Sequence, residues 1–320
     1  MLAYFVVLLR RSWRMFITVT KVMLPVMIVV QIAQHFGLVD MVGRFIAPAM
    51  ALLNLPPEAG IIWATTLVTS IYGGIATLSG LAGTMDITAG QVSALGAMML
   101  LAHAIPVEQA IVRRAGASFW ITALLRIGTA IVYGGAVSWA CHFTGVLADP
   151  MSFEWMRGSA PATPAAYPIL DWVQSTAFSM MLTFGIIVVL VTVLDALERL
   201  GITKRITSAM TPVLRASGLD ARVAPVTTVG VLLGLTYGGA LIIEEASTQN
   251  FSPRTRLLAL SWLSLSHSLI EDTLLVMALG ANIWVVLVGR VAITLVIVAV
   301  LARLTNRGGW HTSRLNPGQP

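Results

Sequence analysis

The sequence predicts an all-α polytopic membrane protein made of two inverted repeats. Of its 320 residues, 57% are hydrophobic and only 11% are charged, whereas soluble domains carry about 25% charged residues. The mean hydropathy is +0.85. Residues of scarce types also recur at a constant separation of 164 positions. Each repeat is predicted to contain three spanning helices, an interfacial helix and a Gly-Gly re-entrant hairpin.

Six apolar stretches are long enough to cross a bilayer, which takes about 20 residues. They lie at 16–36, 88–112, 117–140, 172–198, 254–278 and 282–303. Two further apolar segments contain a central Tyr-Gly-Gly, and a short amphipathic piece that is typical of an interfacial helix precedes each. The hairpin segments are 58–84 and 222–248, and the amphipathic pieces are 40–53 and 203–216.

The repeat is visible by subtraction. At an offset of 164 the sequence pairs Gly37 with Gly201, His103 with His267, Gly116 with Gly280, Trp120 with Trp284, and Arg126 with Arg290. The two Tyr-Gly-Gly motifs differ by 165, which requires a slip of one residue inside that segment. Chance similarity between membrane helices would match Leu and Ala rather than His, Trp and Arg, so the sequence contains an internal duplication.

The positions of lysine and arginine favour inverted copies. If each Gly-Gly segment bends back, each repeat crosses three times and the copies are inverted. With a cytoplasmic N-terminus, only Arg44 and Arg157 then lie outside, while Lys21, Arg126 and Arg290 lie within spans. The other fifteen lie inside, as the positive-inside rule requires: Arg10, Arg11, Arg14, Arg113, Arg114, Arg199, Lys204, Arg205, Arg215, Arg222, Arg254, Arg256, Arg303, Arg307 and Arg314.

The predicted organisation has five parts. They are an N-terminal cytoplasmic or interfacial segment (1–15), the first repeat (16–145), an extracytoplasmic loop (146–170), the second repeat (171–305) and a disordered tail (306–320). We expect a bacterial cytoplasmic membrane with both termini cytoplasmic. The expected partners are the lipid bilayer and a small-molecule or ion substrate, with a homo-oligomer left open. The basic surplus, 20 Lys+Arg against 14 Asp+Glu, marks the cytoplasmic face rather than a nucleic-acid surface.

Each repeat has the residues for an intramembrane ion pair. Glu271 lies nine residues before the predicted turn at Gly280, and Arg290 lies ten residues after it. At 1.5 Å per residue, both are roughly 14 Å from the turn and therefore at one depth. Glu108 lies eight residues before Gly116, and Arg126 lies ten residues after it. We therefore assign Arg290, Arg126 and Glu108 to structural ion pairs.

The candidate site centres on His267. It lies between Ser266 and Ser268, and Glu271 follows one turn later on the same helix face. Such a pair can share a metal, relay a proton or form an ordinary hydrogen bond. The other candidate ligands are Asp272, the adjacent Glu244 and Glu245, and His103 of the first repeat. A metal site would use His267, Glu271 and Glu244.

The layout and three short motifs resemble a known family. The motifs are Tyr72-Gly73-Gly74, Tyr237-Gly238-Gly239 and the stretch from His267 to Asp272. They resemble the nucleoside-recognition (Gate) domain membrane proteins, which are related to spore-maturation-type proteins, ferrous-iron permeases and, distantly, concentrative nucleoside transporters. The resemblance implies that both hairpins and the following helices hold substrate near the membrane midplane. Unlike iron permeases, the chain has no soluble GTPase domain and no cysteine in either hairpin.

These observations predict a secondary transporter for a small polar or cationic solute, coupled to an ion or a proton. A divalent metal ion and a nucleoside-like compound are both candidate substrates. We do not expect an enzyme, although a metal-dependent intramembrane enzyme using His267, Glu271 and Glu244 or Glu245 remains an alternative. A further alternative is a non-transporting subunit of a membrane assembly. No motif identifies a cofactor.

Overall fold

A computed structural model of the chain describes residues 2–82, 85–156, 168–202 and 251–307, with six isolated positions between 205 and 231. Several predictions lie outside these residues. They are most of the second interfacial helix (203–216), the second Tyr-Gly-Gly motif (237–239), the Glu244-Glu245 pair, and the tail beyond Arg307.

The described elements are nearly all helical. The first half contains α1 (Leu2–His35), α2 (Leu38–Leu52), α3 (Pro57–Val68), α4 (Ile71–Leu81), α5 (Ala89–Leu101), α6 (Ile105–Arg114) and α7 (Phe119–Thr144). The second half contains α8 (Pro168–Arg199), α9 (Pro253–Ser266), α10 (Glu271–Ala278), a π-helical segment (Trp284–Gly289) and α11 (Arg290–Arg307). Two short strands, β1 (Ile87–Thr88) and β2 (Pro150–Met151), pair antiparallel, and a 3-10 helix follows at Glu154–Met156.

Within the described ranges, five helical stretches are long and apolar enough to cross a membrane, and the bent pair formed by α2 and α3 could make a sixth. These spans confirm the predicted class, a helical polytopic membrane protein. Helix α1 runs without a break from Leu2 to His35, and the cytoplasmic or interfacial placement of segment 1–15 stays a prediction. Helix α11 continues to Arg307, and the predicted disordered tail beyond it lies outside the described residues.

Two pairs of turn glycines adopt matching backbone conformations in the two halves. Gly37 and Gly201 have φ angles of 65° and 69°, and Gly116 and Gly280 have φ angles of 91° and 94°. Glycine adopts positive φ without the steric cost that other residues incur. The offset of 164 found in the sequence therefore holds at the backbone of these turns.

The two stretches that contain the candidate histidines are broken helices. α5 ends at Leu101 and α6 begins at Ile105, while α9 ends at Ser266 and α10 begins at Glu271. Ala104 and Ser268, which match at the offset of 164, have positive φ angles of 45° and 48°. The predicted spans 88–112 and 254–278 therefore each contain a break, and the argument that His267 and Glu271 share a helix face is wrong.

Backbone hydrogen bonds support both interruptions. The Ala104 N–H donates to the Thr66 carbonyl at 3.0 Å, and the Leu269 N–H donates to the Val231 carbonyl at 3.0 Å. Thr66 and Val231 belong to the two segments that contain the Tyr-Gly-Gly motifs. Non-helical backbone at membrane depth persists only where such groups are satisfied by protein or water.

The first Tyr-Gly-Gly segment turns at a different place from the one we expected. The interruption between α3 and α4 lies at Thr69 and Ser70, whereas Gly73 and Gly74 lie inside α4. A Cβ atom on Gly73 would lie 2.0 Å from the Thr69 hydroxyl oxygen, and one on Gly74 would lie 2.0 Å from that of Thr66. The glycines therefore permit close packing of α4 on α3 rather than a sharp turn.

By its internal contacts the chain divides into two compact units. The first contains Met1–Ile105, Thr129–Leu200 and Ile270–Val286, and the second contains Pro106–Gly128, Gly201–Leu269 and Leu287–Pro320. In the first unit α1 packs on α4 and on α8, and in the second α9 packs on α11.

Helices α1 and α8, which the repeat makes equivalent, run antiparallel within the first unit. Trp13 and Phe16, in the first half of α1, contact the ring of Phe184 in the second half of α8. Gln34, near the end of α1, lines a small cavity together with Trp172, near the start of α8.

Candidate functional site

His267 is held at the end of α9 by its own helix. Its backbone is extended, with φ −77° and ψ 165°, so that helix α9 ends at Ser266. The imidazole Nδ1 lies 2.9 Å from the Leu263 carbonyl oxygen, one of the last-turn carbonyls that an ending helix leaves without a donor. A carbonyl oxygen only accepts, so Nδ1 carries the proton. The other ring nitrogen, Nε2, then faces away from α9.

Glu108 of α6 meets that second nitrogen within the second unit. Its Oε1 lies 3.1 Å from His267 Nε2, and the two side chains are only 13% and 3% exposed. In a neutral imidazole with its proton on Nδ1, Nε2 is an acceptor, and an ionised carboxylate is also only an acceptor. Two acceptors at this distance repel each other. A proton or a cation must therefore lie between them.

The same carboxylate is anchored from the other side. Arg126 of α7, whose side chain is fully buried, forms a salt bridge with Glu108 Oε2. The two oxygens of Glu108 consequently face different partners, Arg126 and His267. A buried arginine holds a carboxylate in place and favours its ionised form. Removing either member of the pair leaves an uncompensated buried charge.

Arg290, the repeat equivalent of Arg126, binds the backbone of the interruption. Its Nε donates to the Leu265 carbonyl at 2.9 Å, and its Nη2 donates to the His267 carbonyl at 3.1 Å. The sequence analysis gave Arg290 an ion-pair role, whereas these contacts are with backbone carbonyls. They satisfy acceptors that the end of α9 leaves exposed, and they help to hold His267 in its extended conformation.

The first unit contains an equivalent arrangement around His103. Its Nδ1 lies 2.9 Å from the Met99 carbonyl oxygen, so Nε2 again faces away from the preceding helix. Asp272 Oδ2 lies 3.9 Å from that Nε2, and the side chains of His103 and Asp272 are 6% and 14% exposed. The separation is longer than that of a direct hydrogen bond.

Two more polar groups belong to this arrangement. Glu271 precedes Asp272 at the start of α10 and is half-buried. The Tyr72 hydroxyl, at the start of α4, is within electrostatic reach of both carboxylates. It is buried and has no hydrogen-bond partner among the described residues. The first unit therefore gathers one imidazole, two carboxylates and one phenol from three helix ends.

Each of the two His–carboxylate pairs, His103 with Asp272 and His267 with Glu108, joins one residue from each repeat. His103 and His267 match at an offset of 164, as do Glu108 and Asp272. In each unit, the histidine of one repeat lies beside the carboxylate of the other. The pairing of each histidine with a carboxylate of the other repeat was not predicted from the sequence, and Glu108 was not among the predicted substrate ligands. The equal offset of the two acidic positions was the signal that could have indicated it.

The other predicted site residues have varied positions. Ser266 shares a hydrogen bond of 2.8 Å with Thr294, which joins α9 to α11. Ser268 occupies the interruption with positive φ, and Gly73 and Gly74 serve packing. Tyr237, Gly238, Gly239, Glu244 and Glu245 lie outside the described residues, so the metal site made of His267, Glu271 and Glu244 stays a prediction.

Duplicated broken helices with polar groups at each interruption define a class of helical membrane protein, and comparison with known proteins gives the family. Residues 16–118 and 159–282 match the Gate family, described as nucleoside recognition. These ranges cover most of the chain, so the protein belongs to the Gate family. A Bacillus subtilis (strain 168) protein named "Uncharacterized membrane protein YvoD" is 25% identical over 285 residues, 89% of each chain. No solved structure matches the chain.

The buried pair of Arg126 and Glu108 can be tested by a double-mutant cycle. We expect Arg126→Leu to lower the free energy of unfolding by about 3–5 kcal/mol, because it leaves a buried carboxylate uncompensated. Adding Glu108→Gln should restore part of that loss. The measurement is thermal unfolding of the purified protein in one detergent.

The exposed pair of Arg199 and Asp195 on α8 provides the control, since its arginine is 64% exposed. Arg199→Leu should cost no more than about 1 kcal/mol, as is usual for exposed pairs. Additive losses in the Arg126 and Glu108 double variant would show that the two residues do not interact.

Proposed function

We propose that the protein is a secondary transporter for a small polar or cationic solute, in which a proton and the solute compete for the two His–carboxylate pairs. The observation that carries the proposal is the 3.1 Å separation of His267 Nε2 and Glu108 Oε1, while Nδ1 is committed to a backbone carbonyl. This geometry requires an occupant between the two side chains. Coupled transport needs a site of this kind, where one occupant replaces another.

A divalent transition metal fits the pairs best among the candidate solutes. Imidazole nitrogen and carboxylate oxygen are ligands for such ions. Two ligand atoms each about 2.0–2.2 Å from one tetrahedral metal are about 3.4 Å apart. The observed separations, 3.1 Å at Glu108 and 3.9 Å at Asp272, lie on either side of this value. In the first unit, Glu271 and the Tyr72 hydroxyl would supply further oxygen ligands.

The exchange releases one proton for each cation that enters, and a divalent cation therefore raises the charge of the pair by one. A cation that enters between His267 Nε2 and the Glu108 carboxylate takes the place of the shared proton, and that proton leaves to water. When the cation departs, a proton returns. The Nδ1 bond to the Leu263 carbonyl stays intact in both states, and it keeps the imidazole oriented. The positive charge of Arg126 lies beside the His267–Glu108 pair and repels additional cations. The pair therefore exchanges a proton for a metal ion rather than binding both at once.

Transport is favoured over an enzyme by the duplication of the pairs. Secondary transporters with internal repeats place solute sites at broken helices in the two repeats. In this chain both interruptions contain a histidine whose Nδ1 is hydrogen-bonded to the preceding helix. Each histidine also lies beside a carboxylate. An enzyme would need one set of catalytic groups. The family description, nucleoside recognition, also makes a nucleoside-like compound a solute to be tested.

We further propose that the repeats are inverted in a bacterial cytoplasmic membrane, with both termini cytoplasmic. The antiparallel course of α1 and α8 supports inversion, because the duplication makes these helices equivalent. The distribution of arginine and lysine supports the orientation. On this orientation, residues 113 and 303 lie on the cytoplasmic side and residue 44 on the other.

Cysteine labelling tests this topology. In a background without Cys141, a membrane-impermeant thiol reagent should label Arg44→Cys from outside cells, because that exposed side chain is extracytoplasmic. Arg113→Cys and Arg303→Cys should react only after the membrane is opened. Labelling of Arg113→Cys in intact cells would contradict the inverted arrangement.

Transport can be measured in proteoliposomes that contain an internal pH indicator. We expect addition of Mn²⁺ or Zn²⁺ outside to raise the internal pH, because each metal ion that enters is exchanged for a proton that leaves. His267→Gln and Glu108→Gln should each reduce the rate at least tenfold, since either change removes one side of the pair. His142→Gln is the matched control, because His142 is an exposed histidine on α7.

Uridine, measured as radiolabelled uptake, is the second probe. Uridine uptake that needs His267 would support the transporter and assign a nucleoside substrate. Equal metal and uridine responses in the wild type and both variants would contradict the proposed site. Metal binding without any flux would contradict transport and favour the enzyme.

A further inference from the structure

A small, partly open cavity lies within the first unit, between α1, α4 and α8. Its volume is about 110 Å³. Its polar lining consists of two amides, four hydroxyls and an indole, contributed by Gln31, Gln34, Ser79, Trp172, Ser175, Thr176 and Ser179. Met27 and Val30 form an apolar wall on one side. None of these residues belongs to the His–carboxylate pairs.

Among the described residues, the cavity lining carries no formal charge. The polar groups that these residues contribute are neutral amides, hydroxyls and the indole N–H. A charged ligand that enters a low-dielectric cavity needs an opposite charge to offset its desolvation. The described lining supplies none, so its chemistry favours uncharged ligands and differs from that of the His–carboxylate pairs.

Part of the lining is fixed by internal hydrogen bonds. Gln34 Nε2 donates to the Gly80 carbonyl at 3.0 Å, which leaves its Oε1 to accept. Ser179 donates to the Met156 carbonyl at 2.6 Å and lies 2.9 Å from the Ser79 hydroxyl. Ser175 donates to the Trp172 carbonyl at 3.0 Å. These bonds hold the wall rigid, so the cavity is preformed.

One group in the lining still needs a partner. Thr176 is only 7% exposed, and its hydroxyl has no hydrogen-bond partner among the described residues. Burying a hydroxyl without a partner is unfavourable. Because Thr176 faces the cavity, a molecule inside it is the natural partner.

We propose that this cavity is a binding site for a small uncharged molecule of the amide or polyol class, with Thr176 and Gln31 among its hydrogen-bond partners. The volume equals about three or four waters at roughly 30 Å³ each. Acetamide and glycerol are of this size class, whereas a whole nucleoside is not. The site stands independently of the transport proposal, because the two share no residue.

Saturation-transfer NMR of the full chain in nanodiscs tests this site. Acetamide and acetate form a matched pair of nearly equal shape that differs in charge. We expect a transfer signal for acetamide that glycerol competes away, and a signal at least fivefold weaker for acetate. Thr176→Val, which preserves shape and removes the hydroxyl, should lower the acetamide signal severalfold. Gln31→Met should act in the same direction.

Thr192→Val is the control, because Thr192 is an exposed threonine on the same helix whose hydroxyl bonds its own helix. It should leave the signal unchanged. Equal acetamide signals in the wild type, Thr176→Val and Gln31→Met would overturn the proposal. So would an acetate signal equal to that of acetamide, or a wild-type signal no higher than that of empty nanodiscs. Thermal unfolding of each variant confirms that it is folded.

Discussion

The hydrogen bond between each histidine Nδ1 and a carbonyl of its preceding helix is the interaction on which the rest of the site depends. At 2.9 Å in both repeats, it satisfies an acceptor that the broken helix leaves open. It also fixes the tautomer, because Nδ1 must donate. The same contact orients Nε2 toward a carboxylate at each of the two helix breaks. The guanidinium of Arg290 reinforces it by binding two carbonyls at the same helix end.

The exchange of partners between repeats explains why the duplicated chain differs from two independent copies. His103 needs Asp272, and His267 needs Glu108, so neither repeat contains a complete pair. The repeats nevertheless differ in detail. The second repeat carries two adjacent carboxylates, Glu271 and Asp272, whereas Val107 precedes Glu108 in the first repeat. This asymmetry gives the two pairs different surroundings and therefore different affinities for a proton or a cation.

The sequence allowed the class, most of the spans and the repeat to be predicted, because hydropathy and scarce residues are local signals. The partnership of Arg126 with Glu108 followed from counting residues around Gly116. The break at His103 has a local signal, since Pro106 is the second residue of α6 and proline is favoured in the first turn of a helix. The break at His267 has none, because no proline follows it closely. The exchange of carboxylates depends on tertiary contacts, so hydrophobic periodicity could not indicate it.

The protonation state of His267 tests the account most directly. Nitrogen-15 NMR of histidine-labelled protein, with His267 assigned from the His267→Gln variant, reports which ring nitrogen carries a proton. The account predicts a protonated Nδ1 in the wild type, and an Nε2 signal that shifts on Glu108→Gln and again when Zn²⁺ is added. A bare Nδ1 with a protonated Nε2, unaffected by Glu108→Gln, would contradict it.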